Sequence, residues 1–229
     1  MRFTEDAPRR RFANMVVHSI TFPPKVLALA DVLAARMRER NGGRQWMGAH
    51  MRRGDCEYFP FPPSLLASHS PITDPQHTTV VRTGWAMEST VQAHVERVKD
   101  RLQTGREAIA HLTVIATYDF EGAEPDMEQI TLPPPLAGDA FYVATDERDP
   151  DGRQVISDAG AVMMADLLTI EDRRAFGWPL MITDVLALVE QALLVHSAFF
   201  YGHGMSSLAG VITNLRAARG ADPRTMVLD

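Results

Sequence analysis

Gln45-Trp46-Met47-Gly48-Ala49 runs directly into His50-Met51-Arg52-Arg53-Gly54-Asp55. The first half is short and apolar and reads as a buried strand. The second half is basic and reads as the loop that follows it. In open α/β sheets, ligands bind where strands end and loops begin. Two adjacent guanidiniums present rigid forks of donors that suit phosphate oxygens. Gly54 permits a sharp turn or a close backbone approach to a ligand. Asp55 is placed to hold one arginine from behind. The same residues also fit a plain strand-end loop with a surface salt bridge.

Upstream of this stretch, Val26, Leu29, Ala30, Leu33 and Met37 recur at helical spacing, which predicts an amphipathic helix over Val26 to Arg40. Asn41-Gly42-Gly43 stops it. Helix then strand is the beginning of an α/β layer. Downstream, residues 59–84 carry Pro60, Pro62, Pro63, Pro71 and Pro75, a density that opposes helix and central strand and predicts a loop insertion. His69 and His77 lie in it at a spacing poor for a metal. Ser89 and Gln92 resemble a capping box, and Val91, Val95, Val98 and Leu102 make an apolar stripe, so Val91 to Ala110 reads as a helix that Gly105 can kink. His111 to Tyr118 is rich in β-branched residues and reads as a strand. Pro125 and Pro133-Pro134-Pro135 bracket a loop.

Phe141-Tyr142-Val143-Ala144-Thr145-Asp146-Glu147 reads as a second strand with an acidic end. Val155 to Ala159 suits a short helix, and Gly160 to Leu167 another buried strand. Thr169 with Asp172 caps a short helix that Gly177 ends. Thr183 or Asp184 caps a longer one, apolar on more than one stripe. Glu190 and Gln191 interrupt that helix, either on a narrow exposed face or as ligand contacts. Phe199-Phe200-Tyr201 is a further strand, Gly202-His203-Gly204 a turn, and Ser206 or Ser207 the cap of a last helix. Its core face is Leu208, Val211, Ile212 and Leu215, and Gly220 ends it. A helix N-terminus offers unpaired N–H donors and partial positive charge, a ready phosphate site. Capping by serine is the plain alternative and is compatible with it.

Composition bounds the function. The chain has 229 residues, 45% hydrophobic and 23% charged, ordinary for a globular domain. A net charge of -6 argues against general affinity for nucleic acid or membrane surfaces, so a basic loop in this acidic chain suggests a local anion site. Cys56 is the one cysteine, which excludes an intramolecular disulfide. No apolar run is long enough to span a membrane, and Met1 to Arg11 lacks the apolar core of a signal peptide. There is no P-loop and no Gly-x-Gly-x-x-Gly.

Taken together, His-x-Arg-Arg-x-Asp at His50 to Asp55, Ala-Thr-Asp-Glu at Ala144 to Glu147 and the Ser206-Ser207 helix start resemble the three motifs of the GDP-fucose-dependent fucosyltransferases. The likeness is greatest to protein O-fucosyltransferase-like proteins and their α1,6-fucosyltransferase relatives, and extends over roughly Thr21 to Gly220. It implies an α/β, Rossmann-like three-layer domain with a mostly parallel sheet, similar to the C-terminal half of a GT-B glycosyltransferase. Residues 1–20 are then an N-terminal extension and residues 21–229 the GDP-sugar-binding domain. The first half of such enzymes has no counterpart here, so the expectation is a fragment, a truncated gene product or a shortened paralogue. The compartment implied is the ER or Golgi lumen, although the residues themselves carry no such address.

The resemblance implies GDP-fucose as donor and a protein or glycan hydroxyl as acceptor, with no cofactor required and no metal. Arg52 is the implied catalytic residue and principal β-phosphate contact. Arg53 makes a second contact or pairs with Asp55. His50 lies near the phosphates or nucleoside, or is a satisfied strand-end histidine. Asp146 binds the nucleoside or orders Arg52. Ser206 and Ser207 hold the phosphates from the opposite side, and Glu190 or Gln191 lies where relatives carry a guanine-reading acid. An acceptor-activating base is expected in the first half. Two other readings stand beside this one. One is a non-catalytic or degenerate nucleotide-binding module. The other is a metal hydrolase built from His50, Asp55, His196 and His203.

Overall fold

The computed structural model describes residues 21–52, 90–118, 122–204 and 206–229, with residues 11, 14–16, 18 and 19. The elements in chain order are α1 (Pro24–Arg40), β1 (Met47–Met51), α2 (Val91–Ala110), α3 (Glu128–Thr131), β2 (Phe141–Thr145), α4 (Pro150–Asp158), β3 (Ala161–Val162), α5 (Met164–Leu167), α6 (Ile170–Phe176), α7 (Thr183–Val195), β4 (Phe199–Gly202), α8 (Ser207–Arg219) and β5 (Met226–Leu228). A 3-10 turn, Trp178–Met181, precedes α7. Arg53, Asp55 and the 59–84 insertion lie outside the described residues.

The five strands form one sheet in the order β3-β2-β1-β4-β5, with every pairing parallel. This is the Rossmann order, with β1 central and the direction of winding reversed between β1 and β4. The sequence pattern accounts for the layering. Side chains of a strand alternate in direction. Met47, Ala49, Met51, Phe141, Val143, Phe199 and Tyr201 pack with α2 and α4 in one core. Trp46, Tyr142, Ala144 and Phe200 pack with α1, α7 and α8 in the other. Strands covered on both faces read as near-continuous apolar runs, as these do. The result is a three-layer α/β/α domain. No described helix is long and apolar enough to cross a membrane.

Several local expectations are corrected. His111 to Tyr118 forms no strand. Its backbone is held by side chains instead: Ala116 N–H donates to Asp222 Oδ2 at 2.8 Å, and Arg224 Nη2 donates to the Val114 carbonyl at 2.8 Å. Val114 is 72% exposed, so its β-branched character reflects no burial. Gly160 to Leu167 divides into the two-residue β3 and the helix α5, whose start is tied by Asp166 Oδ2 accepting the Met163 N–H at 2.8 Å. The α2 cap is Thr90, which accepts the Ala93 N–H. Residues 91–110 form one uninterrupted helix through Gly105. Helix α7 has no side-chain cap; Ile182 stands at its N-cap. The core face of α8 is Ala209, Ile212, Arg216 and Ala217. Strand β5 is a further element, three residues long and paired with β4.

Candidate functional site

The parallel register brings three strand ends to one edge. Met51 pairs with Thr145, so Arg52 and Asp146 leave the sheet side by side. Ala49 pairs with Tyr201, which carries His50 to the level of Gly202, with His203 next. The edge between β1 and β4 is the switch point, where the crevice of a doubly wound sheet opens.

His50 is the inward-facing residue at the end of β1. It shares the α1–α7–α8 face with Ala144 and Gly202, both small, and is 7% exposed. Burial lowers its pKa from 6.5 to about 4, against the attraction of Asp146 and with the repulsion of His203 and Arg52. His50 is therefore a neutral imidazole at neutral pH, surrounded electrostatically by those three groups. Its Nδ1 has no hydrogen-bond partner among the described residues. Arg52 is half-buried, one residue beyond the strand, and Asp146 is exposed. Glu147 serves the local turn. Its N–H donates to Thr145 Oγ1 at 3.1 Å, and its Oε1 accepts the Asp149 N–H at 2.9 Å, which leads into the Asp149 cap of α4.

Helix α8 begins at the same edge. Ser206 is buried and its hydroxyl accepts the Ala209 N–H at 3.4 Å, so it is a true N-cap, whereas Ser207 is exposed. Gly202 explains how α8 comes so near the strand. A Cβ at Gly202 would lie 2.9 Å from the Ala209 Cβ. The close approach that this glycine permits is helix to strand. Gly204 N–H donates to the Asp229 carbonyl at 2.8 Å, which ties the turn to the end of β5.

Two sequence candidates lie elsewhere. Glu190 is half-buried and does not lie at the strand ends. It sits midway along α7 and accepts a hydrogen bond from the Tyr142 hydroxyl at 2.9 Å. Burial raises its carboxyl to about 7, opposed by that hydrogen bond. His196 caps the far end of α7, at the opposite edge of the sheet from His50 and His203. Its Nε2 is 3.2 Å from Asp31 Oδ1 and its Nδ1 is 2.9 Å from Arg219 Nη1. Arginine only donates, so Nδ1 accepts and Nε2 carries the proton. Burial, then Arg219, lowers this histidine to about 4. His196 is thus apart from His50 and His203, Asp55 lies outside the described residues, and the described residues contain no group of three possible ligands.

A cleft of about 20 Å³ also lies at this opposite edge, lined by Arg38, Gln45, Trp46, Glu128 and His196 among others. It has room for roughly one water, so chemistry is better sought at the switch point. The sequence offers His203 as part of the turn after β4 and as a metal ligand. Its place directly after β4, facing the end of β1, was the signal for its membership of this site. The chain matches no known protein-family model and no curated protein.

Proposed function

We propose that this domain is the donor-binding half of a GDP-fucose-dependent fucosyltransferase-like protein, one that transfers fucose to a hydroxyl of a protein or glycan. The observation that carries the proposal is the convergence of Arg52, His50, Asp146 and the start of α8 at the β1–β4 switch point. In such a transfer the acceptor oxygen bonds to the anomeric carbon as the bond from that carbon to the β-phosphate oxygen breaks. The acceptor proton leaves to a base, and GDP departs with the bonding pair. Negative charge therefore grows on the diphosphate. A guanidinium and a helix N-terminus aimed at it stabilise the transition state more than the ground state. Arg52 supplies the cation and α8 the partial positive charge. Neutral His50 contributes hydrogen bonding without adding a charge, and Asp146 orients Arg52 or meets the nucleoside. Arg53 is assigned the second phosphate contact on the sequence motif alone.

The serine pair tests this reading. Replacing both Ser206 and Ser207 with alanine should weaken GDP more than guanosine, because only GDP carries phosphate for the helix end to hold. Loss of the Ser206 cap costs about 0.5–2 kcal/mol of stability in any case, so the comparison is made by calorimetry on folded protein. Equal losses for the two ligands, or none, would remove α8 from the phosphate site.

A further inference from the structure

The backbone order of β4 does not end at Gly202. Asp229 N–H donates to the Gly202 carbonyl at 3.2 Å, and Gly204 N–H donates to the Asp229 carbonyl at 2.8 Å. These are the two slanted bonds of a parallel ladder. They set His203 opposite Asp229, one step beyond the Gly202–Leu228 pair. The His203 carbonyl then accepts the Ser206 N–H at 3.0 Å, which closes the turn into the α8 cap. The backbone of His203 is therefore fixed from two directions, by the end of β5 and by the start of α8.

A residue fixed in this way has a definite side. Side chains alternate along a strand. Tyr201 packs in the core beneath α2 and α4, so His203, two residues on, belongs to the α2 side of the sheet. The Ala49–Tyr201 pair puts it level with Met51, the last residue of β1. It is half-buried. His50 and the start of α8 stand on the other side of the same strand ends. His203 and Arg52 both act on His50 through charge. The carboxylate of Asp229 is engaged by Arg101 at 2.8 Å and by the Tyr201 hydroxyl at 3.4 Å. His50 is 7% exposed, and its Nδ1 has no hydrogen-bond partner among the described residues. An unpaired buried nitrogen calls for a partner, and a polar ligand at these strand ends can supply one.

We propose that His203 is a further ligand-binding residue of this site, donating a hydrogen bond to the diphosphate from the α2 side while the start of α8 holds it from the other. The inference rests on the donor-binding reading above. An imidazole carries at least one N–H donor whether protonated or not, so the role does not depend on the charge of His203. A diphosphate presents acceptor oxygens in several directions, and Arg52 and one helix end reach only some of them. As GDP departs with the bonding pair, a donor already fixed by the backbone meets the growing charge without reorganising.

Calorimetry compares GDP and guanosine on the full chain and on His203→Ala, His203→Gln and Arg52→Ala. His203→Ala should weaken GDP by about threefold to tenfold, the contribution of one hydrogen bond, and leave guanosine unchanged. His203→Gln keeps an N–H donor and should recover part of the loss. In the native chain, labelled with 13C at histidine, the His203 ring signals should shift with GDP and not with guanosine. Unchanged GDP affinity in His203→Ala overturns the inference; if Arg52→Ala still weakens GDP, the donor-binding reading survives it. Equal losses for GDP and guanosine also overturn it, since His203 would then support the fold alone. So do ring signals that GDP leaves in place, a result that stands even where a variant fails to fold. No GDP binding by the native chain defeats the donor-binding reading itself, and the role of His203 with it.

Discussion

Arg216 shows how far a single residue can depart from what its type suggests. In the last turn of α8 a cation reads as a surface charge favoured by the helix dipole. The side chain is instead 0% exposed. Nη1 donates to the Ser197 carbonyl and hydroxyl, and Nη2 to the Ala198 and Thr225 carbonyls and the Thr225 hydroxyl. Burial lowers its pKa to about 10, so it stays charged at neutral pH while joining the starts of β4 and β5. No signal in one sequence distinguishes such an arginine from a solvated one. Arg216→Ala should destabilise the domain by about 3 kcal/mol or more, since several buried acceptors lose their donor together. Arg216→Lys should recover little, because an ammonium lacks the planar fork that spans these groups. Chemical denaturation of the three proteins measures both. A loss below about 1 kcal/mol for Arg216→Ala would contradict this account.

At the scale of elements, the legible features were those with local causes. Thr169 and Asp172 form a reciprocal capping box on α6, and Gly177 and Gly220 end their helices at φ 86° and 84°, conformations that favour glycine. The strands β1, β2 and β4 were legible because each is buried on both faces. The illegible features had distant causes. The irregular stretch from His111 is held by Asp222 and Arg224, over 100 residues away, and β5 pairs only with β4 among the described strands. Gly105 is a further case. From sequence it is a weak point in α2, and alanine should strengthen the helix by about 1 kcal/mol. In the fold a Cβ there would lie 2.4 Å from the Phe199 ring. The ring is fully buried and has nowhere to go. The steric cost of about 1–3 kcal/mol should therefore outweigh the propensity gain. We expect Gly105→Ala to lower the melting temperature. A rise would show that α2 can move off β4 at little cost.

At the scale of the molecule, proton linkage and the candidate site both follow from the doubly wound sheet. His50 at one edge and His196 at the other are each lowered from 6.5 to about 4, chiefly by burial. A depressed histidine contributes stability that is present above its unfolded value and lost as pH falls toward its folded one. Glu190, raised from 4.5 to about 7, acts oppositely, losing its contribution as pH rises through 7, and so offsets part of the effect. Two histidines against one carboxyl leave a net loss, and denaturation at pH 6.5 and near pH 4 should show stability falling by a few kcal/mol in acid. Constant stability over that interval would mean that the histidines are not buried as described. The candidate site was legible as three strand ends. That they share one edge was not, because strand order is a property of the whole sheet. Its placement at the β1–β4 switch point makes Arg52 the decisive residue, since a charge-assisted hydrogen bond contributes about 1.5–3 kcal/mol, on the order of tenfold or more in affinity. Calorimetric titration of GDP into the native chain and into Arg52→Ala tests this directly. The account predicts binding to the native protein and at least about a tenfold loss in the variant; equal affinities, or no binding by the native chain, would contradict it.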